Sequence, residues 1–463
     1  VNSFALAPYL GFNENLILRD RNDRWREDLE PVRRLPDLDD ETYFDVGFLP
    51  DADWVSFQAT VTTSADQVAI APGYLVEETQ DGDRKRFVYE MDAPMQNFWA
   101  VLSARYASRI EEHNGVQLSV FYHPPHEWNV DRILQSLRDS IDFFGEIFDS
   151  PYQYRQMRVL EFPAYARFAQ SFPNTVPWSE GIGFIADVSD PEDIDYVYYV
   201  GAHEVAHQWW AHQVSAAAVQ GGSSIIETLA QYSALMLMER EYGPHMMRRF
   251  LNYELDNYLS SRGGEAIEEL PLYRVENQGY IHYRKGSIVM YALKDYMGTE
   301  AVNTALSNFI ADAAYRTDPY PRSRELIANL REQATTDEQQ ELITDMFEKI
   351  TLWDLKVEEG TVAERDDGRF DVSIEIAATK FYADGKGEQT ETPLDMLIDI
   401  GIFSGDPDDV TEGDEHVLVL EKHSVRSGEA TYEFIVDEKP SHVGVDPYNK
   451  LIDRNSDDNL KAL

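Results

Sequence analysis

The chain contains no cysteine. That excludes disulfides, thiolate-ligated zinc, iron–sulfur clusters and thiol nucleophiles, and it leaves the redox compartment open. Positive charge is also scarce: 40 Lys and Arg stand against 84 Asp and Glu in 463 residues, a formal net charge of −44. Gripping a phosphate backbone takes clustered cations, so the sequence argues against nucleic acid as a partner. The same field repels an anionic membrane surface. No apolar run reaches the roughly 18 residues that span a bilayer, so membrane contact by this stretch of chain is not expected. No basic segment leading into an apolar one opens the sequence. It begins on Val1 rather than Met, which reads as a partial or processed form.

Core material, by contrast, is ample. Hydrophobic residues make up 43% and aromatics 12%, which argues against bulk disorder, and the length implies roughly two to four domains. Residues 1–125 read as a β-rich domain. Val55 to Val61 alternates with period two, and the short run Phe87-Val88-Tyr89 is strand-like but uniformly apolar. At Trp128 the period changes. Val130, Ile133, Leu134, Leu137, Ile141 and Phe144 keep helical spacing for four turns and open a mainly helical α/β domain over 126–352. Within it, Met157 to Phe162 is a strand candidate, and helices fit 197–210, 224–242, 244–260, 284–297, 299–313, 323–331 and 336–350. From 353 to 463 alternation returns, most cleanly in Phe370 to Ile376, and reads as a β-sandwich. The acidic loop with Asp406, Asp408, Asp409, Glu412, Asp414 and Glu415 lacks the EF-hand register and reads as solvated. From Thr351 onward 28 acidic residues face 11 basic ones, so the acidity belongs mainly to the solvated shell.

One segment carries chemistry: Gly201-Ala202-His203-Glu204-Val205-Ala206-His207. Residues four apart on a helix share a face, so His203 and His207 can direct two imidazoles at one ion, with the Glu204 carboxylate beside them. The apolar residues around them predict a buried helix, where two imidazoles and a carboxylate are costly without a compensating cation. A zinc ion answers that need, and a hydrolytic zinc takes three protein ligands and keeps a position for water. His212 lies on a different face near the helix end. Glu227 is the sole carboxylate between Ala211 and Met238 and is the stronger candidate for third ligand. Gln231, one turn on, either orients a ligand or is a plain helix-surface residue.

His203-Glu204-x-x-His207 with Glu227 on the following helix resembles the gluzincin aminopeptidases of peptidase family M1. The resemblance implies an α+β multidomain fold with a β-rich N-terminal domain, a thermolysin-like helical zinc peptidase domain and a C-terminal β-sandwich. It implies one zinc ion per chain and peptide substrates with a free N-terminus. The family usually has eighteen residues between the second histidine and the glutamate; here there are nineteen, and loop slack is expected to absorb the extra one. Tyr283-Arg284-Lys285-Gly286 resembles the family's Tyr-x-Lys-Gly segment, which implies that Tyr283 steadies the oxyanion. Pro177-Trp178-Ser179-Glu180-Gly181 stands where the family has Gly-x-Met-Glu-Asn, which implies that Glu180 captures the substrate amine. Pro177, Ser179 and Gly181 depart from that pattern and weaken the case for strict exopeptidase action.

The tracts Arg167 to Asn174, His203 to Val214, Tyr280 to Tyr291 and Val445 to Lys450 are similar to a bacterial subgroup in which a permease-like membrane region precedes the peptidase domain. That likeness implies an extracytoplasmic part of a longer inner-membrane protein. Two rival readings stay open: an endopeptidase or narrow-specificity peptidase, and a catalytically weak peptide-binding module attached to a transporter.

Overall fold

The computed structural model describes residues 17–18, 20–49, 52–190, 193–265, 267–409 and 416–463. Glu412, Asp414 and Glu415 of the acidic loop lie outside the described residues. Strands β1 (Gln58–Ser64), β2 (Tyr74–Asp81) and β3 (Arg84–Glu90) form an antiparallel sheet with β3 in the middle. Phe87, Val88 and Tyr89 are all buried, which is why that run shows no alternation. The alternating stretch Val55 to Val61 is not one strand. Trp54–Val55 pairs with Met95–Gln96, while β1 pairs with β3, so the chain changes partner at Ser56 and Phe57.

A second sheet runs in the order β7 (Thr175–Ser179), β6 (Gln156–Phe162), β5 (Val116–Tyr122), β4 (Ala107–His113). Strands β5, β6 and β7 are parallel and β4 is antiparallel. This sheet takes two strands from before residue 125 and two from after it. The outer edge of β7 is already paired: Gln170 N donates to Pro177 O at 3.1 Å, Ser179 N to Phe168 O at 3.0 Å, and Phe172 and Thr175 exchange two bonds. Proline is tolerated at 177 because that position accepts without donating.

Helix α1 (Val130–Ile147) follows β5 and buries every apolar position that the spacing singled out. Against it lies α2 (Tyr196–Ala206), capped by Asp195 accepting from Tyr198 N and buried on nearly all sides. A Cβ on Gly201 would fall 2.9 Å from Ser136 Cβ and nearer still to its hydroxyl, so glycine sets how closely the two helices approach. The helix expected over 197–210 stops at Ala206. Trp209 and Trp210 are both fully buried and anchored in different directions, to Ser150 O and Ser233 Oγ, and Ala211 takes φ 146°. Tertiary burial of two neighbouring indoles unwinds the last expected turn.

A π-helical turn, Ser224–Thr228, leads into α3 (Leu229–Tyr242), followed by α4 (Met247–Gly263). Another, Tyr280–Lys285, leads into α5 (Gly286–Met297), then come α6 (Thr299–Ala313), α7 (Ser323–Gln333) and α8 (Asp337–Ile343). The helix expected over 336–350 ends in a third π turn, Thr344–Glu348, because a strand begins at Ile350.

The C-terminal part holds two four-stranded sheets. In one, β9 (Phe370–Ala383) pairs with β8 (Ile350–Glu364) on one side and with β10 (Gln389–Thr392) and β13 (Gly428–Val436) on the other. In the other, β11 (Asp395–Phe403) lies between β12 (Val417–Arg426) and β14 (His442–Val445), with β15 (Leu460–Ala462) beyond. Val372, Ile374 and Ile376 share one core with Ile398, Ile400, Val443 and Val445. The fold is thus α+β: a β-rich start, a helical middle and C-terminal sheets. The Val445 to Lys450 tract ties the sheets to the helices. Lys450 Nζ bonds Asp295 of α5 at 2.7 Å and Asp399 of β11 at 2.8 Å, and Asn449 reaches Asn252 at 3.0 Å. Among the described residues no helix is long and apolar enough to cross a membrane.

Gly201→Ala should destabilise the chain by about 1–3 kcal/mol, the usual range for overpacking. Adding Ser136→Gly should recover part of the loss in urea denaturation. An unchanged midpoint for Gly201→Ala would remove this contact from the account.

Candidate active site

His203 lies in the last turn of α2 and His207 caps it. Their Nε2 atoms are 3.1 Å apart with the rings at 86°. Glu227 Oε2 lies 3.6 Å from His203 Nε2 and 3.4 Å from His207 Nε2. His207 Nδ1 is 3.0 Å from the Trp210 carbonyl, which requires the proton on Nδ1, so that in the neutral ring the Nε2 lone pair faces the other two groups. Ligands placed about 2.0–2.1 Å from a tetrahedral zinc stand roughly 3.3 Å apart. The three separations straddle that value, and Glu227 Oε2 is buried with no hydrogen-bond partner. Donor types and spacing both fit the ion.

Electrostatics within the cluster are mutual. Burial opposes charging of His207, yet the Glu227 carboxylate pushes its imidazole up to about 9. Burial also works against ionised Glu227, but the two imidazoles outweigh it and hold its carboxyl well below the usual range. Glu204, next to His203, is buried and one of its oxygens lacks a partner. Burial raises its carboxyl, with partial opposition from His203 and His207.

Glu227 arrives through the π turn Ser224–Thr228, and a π turn holds one residue more than an α-helical count. A turn of this kind is a place where an extra residue fits inside a helical segment. The connector expected to absorb it is closely packed, with Ala211 to Ala217 buried throughout. Thr228 Oγ1 donates to His282 O at 2.6 Å, and a Cβ on Gly286 would fall 2.7 Å from Thr228 Cγ2. That close approach brings the turn bearing Tyr283 onto the turn bearing Glu227. The Tyr283 ring lies 5.9 Å from the His203 ring, and burial followed by the nearby Glu227 charge raises its phenol. Lys285, fully buried, bonds Glu269 Oε1 at 3.3 Å, and Glu269 also receives Tyr258 and Arg262 at 2.6 Å each.

Glu180 belongs to a different cluster. It follows β7, and its Oε1 accepts from Ala164 N at 2.9 Å. Its Oε2 lies 3.7 Å from His126 Nδ1, which is 2.6 Å from Glu161 Oε1. Glu161 Oε2 in turn accepts from His123 N at 2.6 Å. His126 and Glu161 escaped the sequence reading, although a carboxylate inside the apolar run of β6 was a usable signal. Two other candidates point elsewhere. Gln231 Nε2 donates to Glu254 at 3.3 Å, and His212 faces the Ser171 carbonyl at 3.3 Å.

Two histidines and a glutamate thus converge from consecutive helical segments, with a second glutamate beside them. Residues 133–349 match the model of the peptidase family M1 domain. Human endoplasmic reticulum aminopeptidase 2 is 26% identical over 213 residues, 44% of this chain and 22% of its own length. Aminopeptidase M1 of Arabidopsis thaliana is 23% identical over 277 residues, 56% of this chain and 30% of its own. The chain therefore spans less than a third of either relative. Among solved structures, Legionella pneumophila aminopeptidase A in complex with aspartic acid aligns with TM-score 0.56 at 16% identity. The alignment covers 87% of this chain and 45% of that one, and the likeness is one of fold.

In chelator-treated protein the His207 imidazole sits above its ordinary 6.5. A raised folded value means that its stabilising contribution is complete below 6.5 and lost as pH rises through about 9. Stability measured across that window should fall, and Glu227→Gln should flatten the slope. The same slope in the variant would take the pair out of the account.

Proposed function

We propose that the chain is a zinc-dependent metallopeptidase that removes N-terminal residues from peptides. The observation that carries this reading is the convergence of His203 Nε2, His207 Nε2 and Glu227 Oε2 at 3.1–3.6 Å. In this reading those residues hold one zinc ion per chain. When bound, such an ion polarises a scissile carbonyl and makes water a nucleophile at neutral pH. Glu204 takes the proton from the attacking water and hands it to the leaving amine, a task suited to a buried carboxyl that gains a proton readily. Tyr283, kept protonated by burial, donates to the developing oxyanion. Glu180 pairs with the free α-amine of the peptide, with its carboxylate held by Ala164 N–H and its neighbour His126. The names of the relatives, all aminopeptidases, agree with this reading.

A second reading, an endopeptidase or narrow-specificity peptidase, is favoured by one observation: Glu180 already has one oxygen engaged by backbone and the other beside His126. Free and N-acetylated peptides of one sequence separate the two readings. Glu180→Ala should raise KM for the free peptide at least about tenfold and leave the acetylated one unaffected. Equal losses would assign Glu180 to something other than the amine.

Glu204→Gln should retain one zinc per chain by elemental analysis yet lower kcat about 10²–10⁴-fold. Tyr283→Phe should lower kcat about 10²–10³-fold with little change in KM. Undiminished turnover after chelation, or in Glu204→Gln, would sink the mechanism.

A further inference from the structure

Strand β6 carries a second buried charge, and it lies on the face opposite Glu161, because residues three apart on a strand point to opposite sides. Arg158 is only 5% exposed. Its hydrogen bonds all leave from Nη2 and end on neutral acceptors: Ala71 O at 2.8 Å, Thr175 Oγ1 at 2.9 Å and Asn174 Oδ1 at 3.2 Å. Nε is buried without a partner, and among the described residues no carboxylate pairs with this guanidinium. Burial pulls even this strong base down, to about 10. The Tyr89 ring lies 5.7 Å away, and a buried cation without a counter-charge is costly in a chain with 84 carboxylate side chains available to neutralise it.

Arg158 lines a cavity of about 430 Å³ between the β1–β3 sheet and the β4–β7 sheet, and none of the three clustered residues His203, His207 and Glu227 lines it. Its walls combine an apolar set, Val68, Leu75, Phe87, Ile110 and Phe121, with buried Ser119 and Gln156 and the exposed Gln117. Leu75 and Ile110 are about half exposed, at 47% and 53%, and form its mouth. Arg155 stands nearby over the Tyr74 ring at 3.6 Å, with Asp92 at 3.0 Å as its counter-charge. The one lining carboxylate, Glu78, is engaged by Lys85 at 3.0 Å. The volume suits a small molecule, and such sites place one charged group among apolar walls.

We propose that this cavity binds a small anion with an apolar body, its carboxylate or phosphate head on Arg158 and its body against Val68, Leu75, Phe87, Ile110 and Phe121. An Arg already oriented by three fixed acceptors meets an anion in the cavity without further ordering.

The test is the melting temperature of the whole chain titrated with sodium octanoate below its micellar range, with octanol and inorganic phosphate as separate arms. Octanoate should give a saturable rise, since a ligand of the folded state stabilises it by mass action. Octanol should give none. Ile110→Asp, an exposed change at the mouth, should weaken the octanoate effect about tenfold by like-charge repulsion. Arg158→Gln should abolish it. A phosphate response as large as that of octanoate would keep the anion site and make its ligand a free inorganic anion. An octanol response equal to that of octanoate, or no saturable response to either anion, would overturn the proposal without reliance on any variant.

Discussion

Two imidazole edges and a carboxylate oxygen meet within 3.6 Å inside the helical core, and most of the middle of the molecule is organised around holding them there. Bringing polar groups together away from water is unfavourable unless each has a fixed orientation and a partner. The structure supplies orientation from several directions. Gly201 lets α2 settle on Ser136 of α1, and the Trp210 carbonyl fixes the His207 ring. Gly286 lets the Tyr283 turn settle on Thr228, next to Glu227. Two π-helical turns, one bearing Glu227 and the other Tyr283, re-aim side chains that regular helices would direct elsewhere. Irregular backbone is concentrated where the chemistry would be, and regular helix and sheet surround it.

The parts legible in the sequence were those governed by a single local rule. The stripe from Val130 to Phe144 gave α1 because one face of that helix meets one core. His203 and His207 were legible because four residues is one helical turn. What stayed hidden depended on contacts between distant segments. Phe87 to Tyr89 shows no period because that strand is covered on both faces. The helix carrying His207 ends early because two indoles find separate anchors, a matter of which carbonyl and hydroxyl lie nearby. His126 reaches Glu161 across 35 positions, and no spacing rule links them. The nineteen-residue interval was readable as an anomaly, but the π turn that carries Glu227 was not.

Strand β6 shows how one element can serve two sides of a molecule. Every residue from Gln156 to Phe162 is buried, which read as a plain apolar strand. The two charged residues in it were the informative ones. Glu161 sits in a network of backbone N–H and imidazole, fully engaged, while Arg158 keeps a donor without an acceptor. Burial alone does not distinguish a structural charge from one that expects company; the count of satisfied atoms does.

The paired outer edge of β7 has a consequence for how any extended chain can be read. Sheets that recruit peptides commonly do so by offering an unsatisfied rim, onto which the newcomer zips as one more strand. Here residues 168–172 fold back and occupy that rim themselves, from Thr175 to Ser179. The molecule has used up its own adhesive border. A visitor finds no backbone ladder to lengthen along that stretch, and whatever it is recognised by there must be carried on its ends or its side chains.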